Sequence, residues 1–288
     1  MSCVRDARSE FFNGGYVIME TLDTVNIPIR KDETHKGDYG KILLIGGSAN
    51  MGGAIMLAAR ACVYSGSGLI TVATHPNNHA ALHSRCPEAM VIDINDTKML
   101  TKMIEATDSI LIGPGLGVDF KGNNAITFLL QNIQPHQNLI VDGDAIIIFS
   151  KLKPQIPTCR VIFTPHQKEW ERLSGIPIEE QTYERNREAV NNLGATVVLK
   201  QHGTEIYFKD DAYKLSIGTP AMATGGMGDT LAGMITSFVG QFDSLKDAVT
   251  SATYTHSYIG EKLSVSMYVV PPSRLISEIP YVMKQLEG

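Results

Sequence analysis

The sequence predicts an α/β fold: a largely parallel central sheet covered by helices on both faces, built as one domain. Three observations predict it. Short apolar runs alternate with helical segments over most of the 288 residues, as right-handed βαβ units require. Most runs end in Gly, Asp, His, Lys or Thr, which directs polar groups to a single edge of the sheet, where open parallel sheets bind ligands. No linker, repeat or low-complexity stretch divides the chain. Hydrophobic residues make up 43% and charged residues 19%, the balance of a globular protein with a sizeable core.

In chain order, residues 1–35 read as an irregular N-terminal extension. Ile42-Leu-Leu-Ile45 is a buried strand, followed by the loop Gly46-Gly-Ser-Ala-Asn-Met-Gly-Gly53 and a helix over residues 54–64 rich in small side chains. This is the strand, glycine loop and helix of a phosphate pocket. It lacks the Lys-Ser or Lys-Thr of a Walker A loop and the Gly-x-Gly-x-x-Gly of a dinucleotide fingerprint. A second strand spans residues 69–73. His75, His79 and His83 follow at four-residue spacing and are expected to share a helical face, a polar surface rather than a metal site.

Ser109-Ile-Leu-Ile112 runs into Gly113-Pro-Gly-Leu-Gly117. Leu139-Ile-Val141 leads to Asp142 and Asp144, residues 161–163 lead to His166 and Glu169, and residues 196–199 lead to Lys200 and Thr204. Residues 205–208 and 213–217 read as a hairpin. Helices are expected over residues 229–238, 248–263 and 273–285.

The chain is organised around Gly218-Thr-Pro-Ala-Met-Ala-Thr-Gly-Gly-Met-Gly-Asp-Thr-Leu-Ala-Gly233. Gly225, Gly226 and Gly228 open a helix whose first N–H groups and dipole favour an anion, phosphate above all. Asp229 stands at that mouth, where its carboxylate can accept a proton from a substrate hydroxyl or simply cap the helix.

Composition excludes other classes. A net charge of −5 with no basic cluster offers nothing to nucleic acid. No apolar run reaches the ~20 residues that span a bilayer, and the first thirteen residues carry charge and no apolar core, so they are no secretory signal. Cys3, Cys62, Cys86 and Cys159 have neither Cys-x-x-Cys nor zinc spacing, and read as reduced thiols of a cytoplasmic protein.

Lys36-Gly-Asp-Tyr-Gly-Lys, Gly46-Gly-Ser with Met51-Gly-Gly-Ala54, Gly113-Pro-Gly-Leu, Val141-Asp-Gly-Asp-Ala145, Thr164-Pro-His-Gln-Lys-Glu169, Lys200-Gln-His-Gly-Thr204 and the glycine stretch ending at Gly233 occur in one order. That order resembles the ADP/ATP-dependent NAD(P)H-hydrate dehydratases of the ribokinase-like superfamily, from about Lys36 to the end of the chain. The resemblance implies a ribokinase-like three-layer α/β/α sandwich that removes water from the hydrated cofactor (6S)-NADHX or NADPHX, with ADP or ATP as phosphoryl donor and Mg²⁺ as cofactor. It implies a homotetramer working alongside an NAD(P)HX epimerase. It assigns Ala54, Gly115, His166 and Asp229 to the dinucleotide, with Asp229 as general base, and Lys200, Gln201, His202, Gly203, Thr204 and Gly228 to the adenine nucleotide. Gly225, Gly226, Met227 and Gly228 would form the anion hole, while Asp142 and Glu169 would hold Mg²⁺ through water. The chain departs from the family pattern at Gly143, Lys168 and Met227. A small-molecule kinase on the same fold, for hydroxymethylpyrimidine or hydroxyethylthiazole, and a non-catalytic nucleotide sensor are the alternatives; fold alone does not separate them.

Overall fold

The computed structural model describes residues 19–288; the Cys3 reading and the signal-peptide reading lie outside that range. The described strands are β1 (Glu20–Leu22), β2 (Lys41–Ile45), β3 (Leu69–Thr74), β4 (Met90–Asp93), β5 (Ser109–Ile112), β6 (Asn138–Val141), β7 (Arg160–Phe163), β8 (Thr196–Leu199), β9 (Glu205–Tyr207) and β10 (Ala212–Leu215). They form one ten-stranded sheet in the order β1-β10-β9-β8-β7-β6-β5-β2-β3-β4. Among them β9 runs antiparallel to both its neighbours, and every other pairing is parallel.

Helices α1 (Gly52–Tyr64), α2 (His79–Arg85), α3 (Thr97–Ala106), α4 (Phe120–Asn132), α5 (Asp144–Leu152), α6 (Gln167–Ser174), α7 (Tyr183–Leu193), α8 (Met227–Val239), α9 (Leu245–Ser264) and α10 (Pro272–Gln285) cover both faces. Alternate strand residues point to opposite faces, so each central strand feeds two cores. Ile42, Leu44, Leu111, Ile140 and Ile162 pack against α1, α8, α9 and α10. Leu43, Ile45, Ile110, Ile112, Leu139 and Phe163 pack against α3, α4, α5, α6 and α7. The result is the three-layer sandwich expected.

Close helix contact explains the small residues of α1. A Cβ on Gly233 of α8 would lie 2.4 Å from the Ala58 carbonyl oxygen, and Cys62 Sγ donates to the Gly233 carbonyl at 3.1 Å. Burial pushes the Cys62 thiol upward, and lifts Cys86 and Cys159 to about 11, so none of these thiols favours the reactive thiolate.

Two expectations are revised. The residues read as an irregular extension contain β1, which pairs with β10, and Ile27, buried with its amide on the Leu286 carbonyl at 2.9 Å. The three histidines do not share a helix: Pro76 starts a short 3₁₀ turn that His75 caps, accepting from the Asn77 amide at 3.2 Å, and α2 begins only at His79.

Candidate active site

The strand order reverses between β2 and β5, because β3 and β4 extend to one side of β2 and β5 to β8 to the other. At this switch point the loops after β2 and β5 are joined backbone to backbone: the Gly47 amide donates to the Pro114 carbonyl at 2.9 Å and the Ser48 amide to Gly115 at 2.6 Å. Gly115, at φ 59°, leaves no room for a side chain, since its Cβ would lie 2.2 Å from the Met51 carbonyl oxygen and 3.2 Å from the Ala54 Cβ. Ala54 and Gly115, far apart in sequence, therefore line the same wall. Asp144 extends it, its Oδ2 accepting from the Gly117 amide at 2.8 Å.

Asn78, absent from the sequence expectations, holds this wall from behind. It is buried, and its Nδ2 donates to Gly47 O (2.8 Å), Ser48 O (3.2 Å) and Thr74 Oγ1 (2.9 Å). Two of these partners are carbonyls, so the nitrogen must face them.

The second half of the site gathers where β6, β7 and β8 end. Beyond the strands, Lys200 donates its amide to the Pro165 carbonyl at 2.8 Å, which carries the pairing of β7 and β8 on to His166. Lys200 Nζ then reaches Asp142 Oδ1 at 2.8 Å, an oxygen that also accepts from Thr164 Oγ1 at 2.6 Å. Burial disfavours the charge on Lys200, but Asp142, Glu169 and Asp229 outweigh it and raise its pKa. His166 and Glu169 close a capping box on α6: His166 Nδ1 accepts from the amides of Lys168 (3.1 Å) and Glu169 (3.3 Å), and Glu169 Oε2 accepts from the His166 amide at 2.8 Å. Two amides on Nδ1 leave the imidazole proton on Nε2. Burial, then Lys200, lowers the His166 pKa, whereas burial raises that of Glu169 against the pull of Lys200.

The mouth of α8 completes the arrangement. Gly226, at φ 94°, turns the chain into the helix, and among the described residues no side chain caps it. Its first N–H groups are therefore free for an anion. Lys200 Nζ lies 3.0 Å from where a Cβ on Gly228 would stand, adding a positive charge to the same turn. Met227 sends its side chain into the core, 7% exposed, so its departure from the family pattern leaves the backbone donors in place. Asp229, in the first turn, is pushed up to about 6, chiefly by burial and then by Asp142, with Asp144 adding and Lys200 opposing. A carboxylate poised there is ionised at neutral pH yet basic enough to take a hydroxyl proton.

Residues 201–204 form the turn from β8 to β9, with Gly203 at φ 68° packed near Lys214. Lys200, which precedes this turn, lies against the α8 mouth; His202 is exposed. Lys168 points away, paired with Glu171 at 2.6 Å, and Gly143 adopts φ 53°, ψ −123°, a conformation that favours glycine. Among the described residues no group of three or more His, Cys, Asp or Glu is placed to hold a metal, so any metal here must draw most of its ligands from phosphates and water.

The sequence model of the NAD(P)H-hydrate dehydratase family matches residues 42–281. A Staphylococcus aureus (strain NCTC 8325 / PS 47) protein named ADP-dependent (S)-NAD(P)H-hydrate dehydratase is 87% identical over 96% of this chain and 100% of its own length. The crystal structure of a ribokinase-like superfamily protein from Enterococcus faecalis V583 superposes with a TM-score of 0.91 at 42% identity, covering 97% of this chain and 99% of the other. The Bacillus subtilis ADP/ATP-dependent NAD(P)H-hydrate dehydratase, co-crystallised with ATP/Mg²⁺, superposes with a TM-score of 0.82 at 31% identity, covering 91% of this chain and 95% of the other. With its glycine loops joined at the switch point and Asp229 in the mouth of α8, the chain belongs to the NAD(P)H-hydrate dehydratase family.

Proposed function

We propose that this chain repairs hydrated nicotinamide cofactors, dehydrating (6S)-NADHX and NADPHX at the expense of ADP or ATP. The observation that carries the reading is Asp229, held near a pKa of about 6 in the first turn of a helix with an uncapped N-terminus, beside Lys200. Identity of 87% to a protein of that name supports dehydratase over kinase.

The chemistry follows from hydroxide being a poor leaving group. Asp229 takes the C6 hydroxyl proton as that oxygen bonds to the terminal phosphorus of the nucleotide, and the bridging P–O bond breaks to release AMP from ADP or ADP from ATP. The ring nitrogen's lone pair then expels phosphate from C6, and loss of a C5 proton restores the dihydronicotinamide. The protein's work in phosphoryl transfer is positioning and electrostatics. Backbone N–H groups of Gly225, Gly226, Met227 and Gly228 would cradle the transferred phosphoryl, and Lys200 would balance its charge. Ala54, Gly115 and His166 would line the dinucleotide, whereas Lys200 with Gln201, His202, Gly203, Thr204 and Gly228 would hold the adenine nucleotide.

Asp142 and Glu169 fit a Mg²⁺ site. Both carboxylates act on Lys200, whose ammonium lies beside the α8 mouth, and Mg²⁺ takes one or two protein carboxylates, keeping water and substrate phosphates for the rest. Bound there, the ion would offset negative charge on the nucleotide phosphates.

We further propose one functional domain, a cytoplasmic homotetramer partnered by an epimerase that supplies the S form, with no nucleic acid or membrane involved. Among the described residues no helix is long and apolar enough to cross a membrane.

The test is incubation of the purified protein with NADHX, Mg²⁺ and either ADP or ATP, following the absorbance of regenerated NADH. Nucleotide-dependent recovery with release of AMP or ADP is the expected result. No recovery from protein that still binds nucleotide overturns it in favour of the kinase reading.

A further inference from the structure

Dehydration moves two protons, and Asp229 can take only one of them. Once it holds the proton of the C6 hydroxyl, it accepts no other until that proton has left. The C5 proton therefore needs an acceptor of its own. His166 does not offer one, because Nδ1 accepts from the Lys168 and Glu169 amides and Nε2 carries the ring proton. Asp142 is held by Lys200 and Thr164, and Glu169 by the His166 amide. Asp144 remains. It is half-buried in the first turn of α5, and its Oδ2 accepts from the Gly117 amide at 2.8 Å. Its Oδ1 makes no hydrogen bond, and the carboxylate no ion pair, among the described residues. The loop it holds is pressed against the start of α5, since a Cβ on Gly113 would lie 2.8 Å from the Ala145 Cβ. That loop also presents Gly115 beside Ala54. Asp144 is near enough to Asp229 for its negative charge to help raise that carboxyl.

We propose that Asp144 is a second general base, taking the C5 proton as phosphate leaves C6. The inference rests on the dehydratase reading and assigns the step that Asp229 cannot perform. The C6–O bond breaks and its electron pair leaves with phosphate, while the ring nitrogen's lone pair forms a double bond to C6. Oδ1 of Asp144 takes the C5 proton, the C–H pair becomes the C5–C6 double bond, and the nitrogen recovers its lone pair. Water removes the proton from Asp144 once the product has left, restoring the carboxylate. Two carboxylates on separate elements thus divide the work: Asp229 of α8 serves phosphoryl transfer, and Asp144 of α5 serves elimination. The Gly117 amide fixes Oδ2 and so holds the carboxyl in one orientation, as a base acting at carbon requires. The rival acceptor is the departing phosphate.

The experiment runs single turnovers of NADHX with ADP and Mg²⁺ in wild type, Asp144→Asn and Asp144→Ala. AMP is followed by rapid quench and NADH by stopped-flow absorbance. In wild type, NADH is expected to keep pace with AMP. Asp144→Asn keeps an oxygen for the Gly117 amide, and its AMP is expected to form within about threefold of the wild-type rate. Its NADH is expected to appear at least about 100-fold more slowly, the share of a general base, and more slowly still when C5 carries deuterium. Asp144→Ala opens a space in which added formate can act as the base. NADH formation in that variant is expected to rise with formate while AMP formation does not; this decides the matter if thermal melting shows that Asp144→Asn does not fold. The proposal is overturned if AMP and NADH slow together, which would make Asp144 a support of the wall alone. It is also overturned if NADH keeps pace with AMP in the folded variants, which gives the C5 proton to the departing phosphate, or if formate leaves Asp144→Ala unchanged. Failure of wild type to form NADH removes the dehydratase reading, whereas wild-type turnover with any of these results removes only the second base.

Discussion

Asp229 carries the sharpest consequence of burial. Its pKa rises from 3.8 to about 6, so the fold favours the neutral acid. As a general base it must be ionised, and kcat/KM is expected to fall on the acid side with a limb near pH 6, absent from any residual activity of Asp229→Asn. Stability moves the other way. A carboxyl whose folded pKa is raised contributes stability below its unfolded value of 3.8 and loses it as pH rises through about 6. Asp229→Asn keeps the neutral form at every pH, so it is expected to abolish turnover yet stabilise the protein by about 2 kcal/mol near neutral pH, with the gain vanishing below about pH 4. Urea unfolding of the two proteins at both pH values checks this; equal stability at neutral pH would refute the account. Asn78 makes the opposite case. Asn78→Asp keeps the shape but points oxygens at two carbonyls. It is expected to destabilise by about 2 kcal/mol or more, and to raise KM for NADHX several-fold more than KM for ADP, because the wall it supports carries Gly115 rather than Lys200.

At the scale of the element, the turn into α8 separates glycines needed by the fold from a glycine kept open for a ligand. Gly226 sits at φ 94°, where any L side chain is strained, and a Cβ there would also press on Leu57 Cδ1 at 2.4 Å, which the leucine must turn aside to relieve. In Gly226→Ala about 2 kcal/mol or more of stability should be lost together with activity. Gly225 has no positive φ, and a Cβ would meet nothing within 4 Å. Gly225→Ala is expected to leave stability within about 0.5 kcal/mol while lowering kcat/KM about tenfold or more by crowding the phosphoryl group. Thermal melts paired with initial rates distinguish the two, and an active Gly225→Ala enzyme would remove phosphate from this turn. These glycines were legible in the sequence because three within four positions have few structural uses. Asn78 was not: its partners are backbone carbonyls some thirty residues away, with separations of 31 and 30, and such a bond leaves no local pattern. Asp119 capping α4 was missed for another reason, since Lys121-Gly-Asn-Asn124 reads as a turn until the helix is seen to pack.

For the whole molecule, the buried strands were readable because a strand covered on both faces is a continuous apolar run, as in β2, β5, β6, β7 and β8. The edges were not. β1 has three residues without a buried one, and β4 is mostly half-buried, so neither shows the pattern of a core strand. The same architecture makes the site a reporter on the fold, because its groups sit on loops from separate strands that meet only when the sheet is formed. A nucleotide held by Lys200 and the α8 mouth therefore binds the folded state and stabilises it by linkage. At ADP concentrations near 100 times its Kd the gain is about 2.7 kcal/mol, or about 5–10 °C in melting temperature at this chain length. Asp229→Asn is expected to retain that shift while losing turnover, since the base acts on the other substrate. Lys200→Ala is expected to lose most of it, because the phosphates lose their ammonium and Asp142 is left buried without its partner. Differential scanning fluorimetry with and without ADP checks all three proteins. A full shift in Lys200→Ala would move the nucleotide away from the ends of β7 and β8, and loss of the shift in Asp229→Asn would mean that this carboxyl holds the nucleotide rather than serving as the base.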